Sequence, residues 1–381
     1  MTAALDNLRV VDFSRILAGP FATMQLADLG ATVTKVERPG TGDDTRAWGP
    51  PYDARGQATY FQAVNRNKDT IVLDLTDPDE CAQARRLAVS ADIVVENFRP
   101  GLMGQFGLDY DQLKCDNPGL IYCSITGFGK GPGADLPGYD LLIQALGGLM
   151  SITGSPDGQP QKAGVALVDV LAGLFATVGI LAAVQHRATT GEGQRVDIDL
   201  LSCLLAGLVN QASAYTSAGV IPARMGNQHP SIAPYELFAC AGGDLVLAVG
   251  NDRQFAALCG VLGAPGLATS ERFATNPARV AHRHELRTEL EHLLEARSAR
   301  DWTKSLTEAR VPAGVVNDIA DAFELADNLS LNPIVAVPRG DGSTIALVRN
   351  PINLSKTPPV YRCAPPEFPE TTTNSRGNPN A

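Results

Sequence analysis

The chain has 381 residues, enough for two domains or for one large domain with an insertion. Hydrophobic residues make up 44% and charged residues 19%, which is typical of a soluble globular protein of enzyme size. The formal net charge of −10 argues against nucleic acid or an anionic membrane as the main partner. The seven cysteines are scattered without a CxxC pair, and the N-terminus has no basic and apolar leader, so we expect reduced thiols in a cytoplasmic protein.

The opening residues, 8–38, predict a strand, a glycine turn, a helix from Phe21 and a second strand. This is the first βαβ unit of a doubly wound α/β domain, in which ligands bind beyond the carboxyl ends of the strands. Those ends correspond here to the loop 14–20 and to Glu37. A dinucleotide site would use the same place, but the GxGxxG fingerprint is missing because Gly19 stands alone in the loop.

Strands alternate with helices over about the first 130 residues, which predicts a mostly parallel sheet. Around 219–234 the composition shifts to glycine, proline and polar residues, and beyond it a hairpin turning at Gly242 and several helices predict a smaller α+β domain. The predicted organisation is a large α/β domain over 1–200, a linker helix and loop over 201–224, a small domain over 225–318, a return to the large domain over 319–364 and a disordered tail over 365–381.

A long loop over 38–52 is rich in glycine and proline and carries Arg38, Arg46 and Trp48. It is too long for a plain connector between a strand and a helix. One interpretation is a mobile surface loop. The other is a lid that presents cations and a flat aromatic ring to a nucleotide-like ligand.

The stretch 164–184 is apolar for about five helical turns and carries a single charge, Asp169, near its start. Its length admits a membrane span, but the charge and the internal glycines favour a buried helix. Taking an unpaired carboxylate into an apolar interior is costly, so its presence needs a reason. Asp169 is either the N-cap of the helix or a nucleophile that the helix N-terminus keeps ionised for attack on an activated acyl group.

The five histidines do not form a cluster that would predict a metal site. His282 and His284 are two residues apart on a predicted helix and therefore point to different sides. His229 lies in the predicted linker, where it is either a plain loop residue or a group that reaches a cleft. The sequence contains no GxSxG, P-loop or HExxH motif.

Seven segments spread over nearly the whole chain carry a family resemblance: LRVVDFSRILAGPFATMQLADLGATVTKVERPGTGDDTRAWGPP (8–51), NRNK (65–68), ADIVVENFRPG (91–101), GLDYDQL (107–113), NPGLIYCSITGFG (117–129), GYD (138–140) and TTGEGQRVDIDLL (189–201). In this order they resemble the family III coenzyme A transferases, the group of formyl-CoA and carnitine-CoA transferases. RILAGPFATM, ERPGTGDDTRAWGPP and GNQHPSIAPYELF are most similar to members that pass CoA from succinyl-CoA to glutarate or similar acids.

The resemblance implies a Rossmann-like large domain and a smaller α+β domain in a ring-like chain that interlocks with a second copy as a homodimer. Asp169 stands at the place of the family's nucleophile, which implies CoA transfer through aspartyl anhydride and aspartyl-CoA thioester intermediates. The CoA thioester would be a substrate, with no tightly bound cofactor and no metal. Tyr139, Trp48 and His229 would contact the substrate. The family positions that would hold CoA are occupied by Arg15, Ala18, Arg38, Leu73, Asn97 and Phe98.

Two alternatives remain open beside CoA transfer. A 2-methylacyl-CoA racemase of the same fold resembles the chain too, but racemases have a histidine where Tyr139 stands. A non-catalytic CoA- or nucleotide-binding protein would need the same loops, with Asp169 as a cap only. The glycine-rich substrate loop of formyl-CoA transferases has no counterpart near 248–255, which argues against oxalate as the acceptor, and the family's PLLGEHT-type ending is replaced by PPEFPETTTNSRG.

Overall fold

The computed structural model describes residues 3–369, which group into two compact units. The first unit runs up to Leu149, resumes over Ala163–Gly219 and continues from Asn332, and the second comprises Met150–Lys162 and Val220–Leu331. The second unit is therefore larger than the predicted small domain, 225–318, because a helix beyond residue 318 and the segment before residue 163 belong to it.

The strands of the described residues are β1 Arg9–Asp12, β2 Thr32–Glu37, β3 Lys68–Val72, β4 Ile93–Glu96, β5 Ile121–Thr126, β6 Arg195–Asp199, β7 Tyr235–Cys240, β8 Gly243–Ala248, β9 Ala313–Val315, β10 Ile334–Pro338 and β11 Thr344–Val348. The α-helices are α1 Ala18–Asp28, α2 Thr59–Ala63, α3 Pro78–Ser90, α4 Leu102–Gln105, α5 Tyr110–Leu113, α6 Asp140–Leu146, α7 Leu149–Ile152, α8 Leu167–Thr190, α9 Leu200–Gly207, α10 Val209–Ala218, α11 Asp252–Val261, α12 Asn276–Ala281, α13 Arg283–Leu294, α14 Ala299–Glu308 and α15 Ile319–Asn328. Short 3-10 helices cover Asp44–Ala47 and Pro265–Thr269.

The first six strands form one parallel sheet in the order β3-β2-β1-β4-β5-β6, which confirms the predicted parallel α/β architecture. β4 and β5 are buried along their whole length, as expected for strands with helices on both faces of the sheet. The strand order reverses its direction across the sheet between β1 and β4, which are neighbours, with Val11 paired to Val94. In doubly wound sheets a ligand crevice forms outside the carboxyl ends of the strands at this point.

Helix α8 packs one apolar stripe against α1 and the sheet. At Gly173 a Cβ atom would come within 2.7 Å of the carbonyl oxygen of Ala18, so a larger residue would push α8 away from α1. The stripe consists of residues at helical spacing, namely Val168, Ala172, Ala176, Ile180 and Ala183.

The prediction that this helix is buried holds for that face alone. Leu174, Phe175 and Val178 on α8 are exposed to solvent, Val178 by 64% of its surface. By length and composition alone, α8 is also apolar enough to cross a membrane.

The second unit has its own core beneath an antiparallel sheet in the order β7-β8-β9. The predicted hairpin is present, with Cys240 paired to Gly243 across a turn in which Gly242 has a φ of 74°. Apolar side chains of α11, α13 and α14 pack on this sheet, including Phe255 and Trp302. This arrangement is the predicted α+β type.

Three local predictions were wrong. Helix α1 begins at Ala18 and not at Phe21, because its first turn accommodates both Gly19 and Pro20. The single helix expected from residue 201 to about 216 is two helices, α9 and α10, which meet where Val209 has a φ of 43°. Helix α15, in the segment expected to return to the large domain, was not predicted as a helix.

The start of the predicted disordered tail packs against the first unit. The Arg46 guanidinium donates a hydrogen bond of 3.1 Å to the carbonyl oxygen of Pro366 and lies 5.3 Å from the centre of the Phe368 ring. Arg55 forms an ion pair with Glu367 at 3.4 Å. These contacts overturn the prediction of disorder for 365–369, and the rest of the predicted tail, 370–381, lies outside the described residues.

Candidate active site

A cavity of about 320 Å³ opens at the carboxyl ends of β1, β4 and β5, at the crossover point of the sheet. Its wall combines the loop after β1, the loop after β4, the glycine loops around residues 127 and 138, and the first turn of α8. Five residues selected from the sequence meet there together with the carboxylate of Asp169: Arg15, Ala18, Asn97, Phe98 and Tyr139.

Asp169 is not the cap of α8, so that interpretation of the sequence is wrong. The N-cap residue is Ala166, and no side chain of its own helix caps this end. The carboxylate of Asp140, at the start of α6, instead accepts the N–H groups of Val168 at 2.8 Å and of Asp169 at 3.3 Å. A residue from a neighbouring helix thus satisfies the helix end and leaves the Asp169 side chain available for other chemistry.

The Asp169 carboxylate is partly buried, and no cation pairs with it among residues 3–369. Burial raises its pKa to about 7, and the neighbouring carboxylate of Asp140 adds to the shift. This rise runs against the expectation that the helix N-terminus keeps the carboxylate ionised, because burial favours the neutral acid. A basic carboxylate is also the more reactive nucleophile once its proton has left.

Tyr60, which sequence analysis did not select, lies close to this pair of acids. Burial raises the pKa of its hydroxyl, and the charges of Asp169, Asp140 and Asp43 raise it further. Trp48 packs against Tyr60 edge to face, with 5.3 Å between ring centroids and 74° between the ring planes. Trp48 thus contacts the ring of Tyr60 but does not line the cavity itself. A tyrosine on a short apolar helix is an ordinary core pattern, so the sequence carries no signal for this position.

The residues predicted to hold CoA fall into two adjoining cavities. The second, of about 190 Å³, is lined by Arg38 and Leu73 and shares Arg15 and Phe98 with the first. The Arg15 guanidinium lies over the Phe98 ring, 5.1 Å from its centre. Arg38 is exposed, lines the second cavity and pairs with Asp44.

Two predicted substrate residues have different surroundings. Tyr139 precedes α6 and lines the Asp169 cavity, with 63% of its surface exposed. His229 belongs to the second compact unit. There its Nδ1 accepts a hydrogen bond of 3.1 Å from the N–H of Ser231, and its ring lies 5.3 Å from the ring of Tyr235.

The two glycine loops of the cavity touch each other through their backbones. A Cβ atom on Gly127 would lie 2.5 Å from the Cα of Gly138, so a side chain at either position would force the loops apart. These glycines stand in the TGFG and GYD segments of the sequence. Their close approach places Tyr139 and Asp140 at the end of β5.

A buried ion cluster lies behind the first loop. The Lys68 ammonium is 3.1 Å from the carboxylate of Asp12, and both side chains are fully buried. Asp12 also accepts hydrogen bonds from the N–H of Ser14 at 2.9 Å and the hydroxyl of Thr23 at 2.6 Å. Burial alone would raise the pKa of Asp12, but the charges of Lys68 and Lys35 and the hydroxyl groups of Ser14 and Thr23 together bring it below its usual value. Within residues 3–369, no group of three or more histidine, cysteine, aspartate or glutamate side chains is arranged to hold a metal ion.

Comparisons with known proteins identify a family for the chain as a whole. The model of CoA-transferase family III matches residues 5–372. The chain is 47% identical over 372 residues to a succinate–glutarate CoA-transferase of Agrobacterium fabrum, covering 96% of this chain and 93% of the relative. It is 40% identical over 352 residues to an acetyl-CoA:oxalate CoA-transferase of Acetobacter aceti, covering 92% and 89%.

Among solved structures, a CaiB/BaiF family protein of Brucella suis matches with a TM-score of 0.85 and 44% identity, over 97% of both chains. The match spans the parallel sheet and nearly all of the remaining chain. The resemblance inferred from the sequence is therefore confirmed, and the chain belongs to CoA-transferase family III.

Proposed function

We propose that this enzyme moves CoA from succinyl-CoA, or a similar acyl-CoA, to a dicarboxylic acid of the glutarate type, with Asp169 as the nucleophile. The observation that carries the proposal is the Asp169 carboxylate in the crossover cavity, which is partly buried, has no ion-pair partner among residues 3–369 and lies beside Asp140. The relative with 47% identity is named for succinate and glutarate, which supports this substrate class.

The first half of the reaction breaks the donor thioester. The ionised Asp169 carboxylate attacks the thioester carbonyl carbon, the C–S bond breaks, and CoA leaves as the thiolate. The product is a mixed anhydride between Asp169 and the donor acid. The thiolate then attacks the Asp169 carbonyl carbon, which releases the donor acid as a carboxylate and leaves CoA on Asp169 as a thioester.

The second half repeats these steps with the acceptor. The acceptor carboxylate attacks the aspartyl-CoA thioester and again displaces the thiolate, which gives a second mixed anhydride. The thiolate attacks the acceptor's acyl carbon, so the acceptor leaves as its CoA thioester and Asp169 is free. Each step exchanges one activated acyl group for another, so the reaction needs no ATP.

Anhydrides hydrolyse in water, and the cavity walls therefore have to exclude it. The apolar helix α8 behind Asp169 and the touching glycine loops in front suit that demand. Arg15 and Phe98, shared by the two cavities, would hold the part of CoA that passes between them, with the nucleotide toward Arg38 and Leu73. The Tyr139 hydroxyl would donate a hydrogen bond to the thioester or carboxylate oxygen.

The enzyme is further proposed to act as a homodimer of interlocked chains in the cytoplasm. Exposed apolar residues of the first unit, among them Val178 on α8 and Leu205 on α9, would be covered by a second copy. The seven free cysteines fit a reducing compartment. Light scattering coupled to size exclusion measures the mass directly, and a monomer at micromolar concentration would contradict the dimer.

The deciding experiment is an acceptor panel. Purified enzyme is incubated with succinyl-CoA and either glutarate, another dicarboxylate, oxalate or a monocarboxylate, and the acyl-CoA products are identified by mass. We expect glutaryl-CoA or a closely related product, and succinyl-CoA that passes its CoA to none of these acceptors would overturn the proposal. Hydroxylamine added during turnover should convert Asp169 to a hydroxamate, which peptide mass analysis locates. Deuterium uptake at the α-carbon of a 2-methylacyl-CoA without any acceptor would point to racemisation instead.

A further inference from the structure

Ile16, in the wall of the Asp169 cavity, has a backbone conformation that its side chain disfavours. Its φ of 72° lies in the left-handed region, where a β-branched residue is a rare outlier. Such a conformation persists only where the surroundings impose it. The contacts around Ile16 therefore need to account for it.

The buried ion pair of Lys35 and Asp43 hydrogen-bonds to the loop backbone on both sides of Arg15. The N–H of Ile16 donates to the two carboxylate oxygens of Asp43, at 3.3 Å and 3.4 Å. The Lys35 ammonium lies 2.8 Å from the same carboxylate, and both charged side chains are fully buried. Lys35 also donates a hydrogen bond of 2.8 Å to the carbonyl oxygen of Ser14.

Asn97 holds the opposite side of the loop. Its Oδ1 accepts the N–H of Arg15 at 2.9 Å, and its Nδ2 donates to the Arg15 carbonyl oxygen at 2.8 Å. The loop leads directly into α1, whose Ala18 carbonyl lies against Gly173 of α8, one turn beyond Asp169. The loop position is thereby tied to the position of the Asp169 helix.

We propose that the Asp43–Lys35 pair is a positioning device for acyl transfer, which imposes the left-handed conformation on Ile16 and so sets where Arg15, Leu17 and Ala18 stand opposite Asp169. Both charged residues border the second cavity and not the cavity of Asp169, so they act through the loop and not on the reacting atoms. This inference rests on the proposed role of Asp169 as the nucleophile.

Asp43→Asn tests the device because it removes the charge and keeps the shape of the side chain. A displaced loop misaligns the thioester, so we expect kcat to fall by a factor of roughly ten to one hundred, with KM for succinyl-CoA changed less than about threefold. The matched control is Asp28→Asn, at the far end of α1, which breaks the buried ion pair with Arg66 at 2.6 Å. It should lower the melting temperature comparably while kcat per folded enzyme stays at the parental value.

Rescue separates positioning from a merely structural role. Glycine adopts a φ of 72° without strain, so Ile16→Gly added to D43N should recover kcat at least fivefold over D43N alone. The same glycine should give no gain in the D28N background. A folded D43N enzyme with parental kcat, or a double variant that recovers nothing, would overturn the proposal.

Should D43N fail to fold, the charge-free variant K35M/D43L replaces it, because swapping both members of a buried ion pair for apolar residues of similar size is often tolerated. The same loss of kcat and the same rescue by glycine are expected. D169N is measured in parallel. If D169N still turns over, the proposed function fails; if D169N is inactive and D43N is not impaired, the positioning proposal fails alone.

Discussion

Two buried acidic regions at the same edge of the sheet have opposite electrostatics. Asp12 is fully buried with the Lys68 ammonium 3.1 Å away, and its pKa lies below the usual value. Asp169 has another acid, Asp140, as its charged neighbour, and its pKa rises to about 7. The cations around Asp12 stabilise its ionised form, whereas the proposed nucleophile Asp169 has no such partner among the described residues and its pKa is raised.

The largest expected effect concerns turnover and tests the reactive half of this comparison. Asp169→Asn should lower kcat for CoA transfer by at least about 10⁴-fold, because an amide cannot attack the thioester. Asp111→Asn, on the exposed α5 where Asp111 pairs with Lys114, is the matched control and should keep full activity. Transfer by the Asp169 variant within tenfold of the parent would refute the assignment of the nucleophile.

The next largest effect tests the framework half. Asp12→Asn leaves the buried ammonium of Lys68 without its counter-ion, so we expect the free energy of unfolding to fall by about 3–5 kcal/mol. Urea denaturation followed by circular dichroism measures it. An unchanged midpoint would mean that the ion cluster contributes nothing to stability.

The same substitution at Asp169 should instead raise the free energy of unfolding, by about 1–2 kcal/mol. The folded-state pKa of about 7 lies above that of the unfolded chain, so this group costs stability increasingly as the pH rises from about 4 through 7. Asp169→Asn should therefore melt higher than the parent at pH 8 and equally at pH 4. A variant that is less stable at pH 8 would show that the Asp169 carboxylate is compensated after all.

The smallest effect concerns Asp140. The rate of the first acyl transfer should rise with pH through about 7, because only the ionised Asp169 attacks. Asp140→Asn keeps an oxygen that can cap α8 but removes a negative charge, so this limb of the profile should move to lower pH. Burial is the larger cause of the shifted pKa, so the gain is modest, roughly twofold in relative rate at pH 6. Stopped-flow measurements across pH 5–9 would detect it, and an unmoved limb would remove Asp140 from the explanation.

The sequence was sufficient to predict the sheet and the position of Asp169. Apolar runs such as the one in β5 and the turns between them give the order of strands and helices, and parallel α/β topology then places the loops at one edge. Helix α3 begins where the sequence marks a start clearly, with Asp77 as the N-cap and Pro78 in the first turn. Helix α1 was misplaced since Gly19 and Pro20 are typical of turns but also fit a first helical turn.

The electrostatic character of the site could not be predicted. Asp140 and Asp169 are 29 residues apart in the sequence. Asp140 caps the helix that carries Asp169 only because α6 packs beside α8. Tyr60 approaches Asp169 from a different part of the chain, on a helix whose sequence resembles ordinary core. Local patterns identify which residues can ionise, but their neighbours in space determine how readily they do.

In the proposed mechanism, the cap that Asp140 provides also affects the enzyme-bound intermediates. When Asp169 carries an acyl group or CoA, it is neutral, and its repulsion with Asp140 disappears. Hydrolysis and productive transfer both return a carboxylate to Asp169 and so recreate two adjacent negative charges. Release of free Asp169 restores its repulsion with Asp140, which costs free energy. The bound acid or thioester has to supply that free energy. Under that mechanism, the capping carboxylate of Asp140 stabilises the covalent enzyme relative to the free enzyme, which favours loading of Asp169.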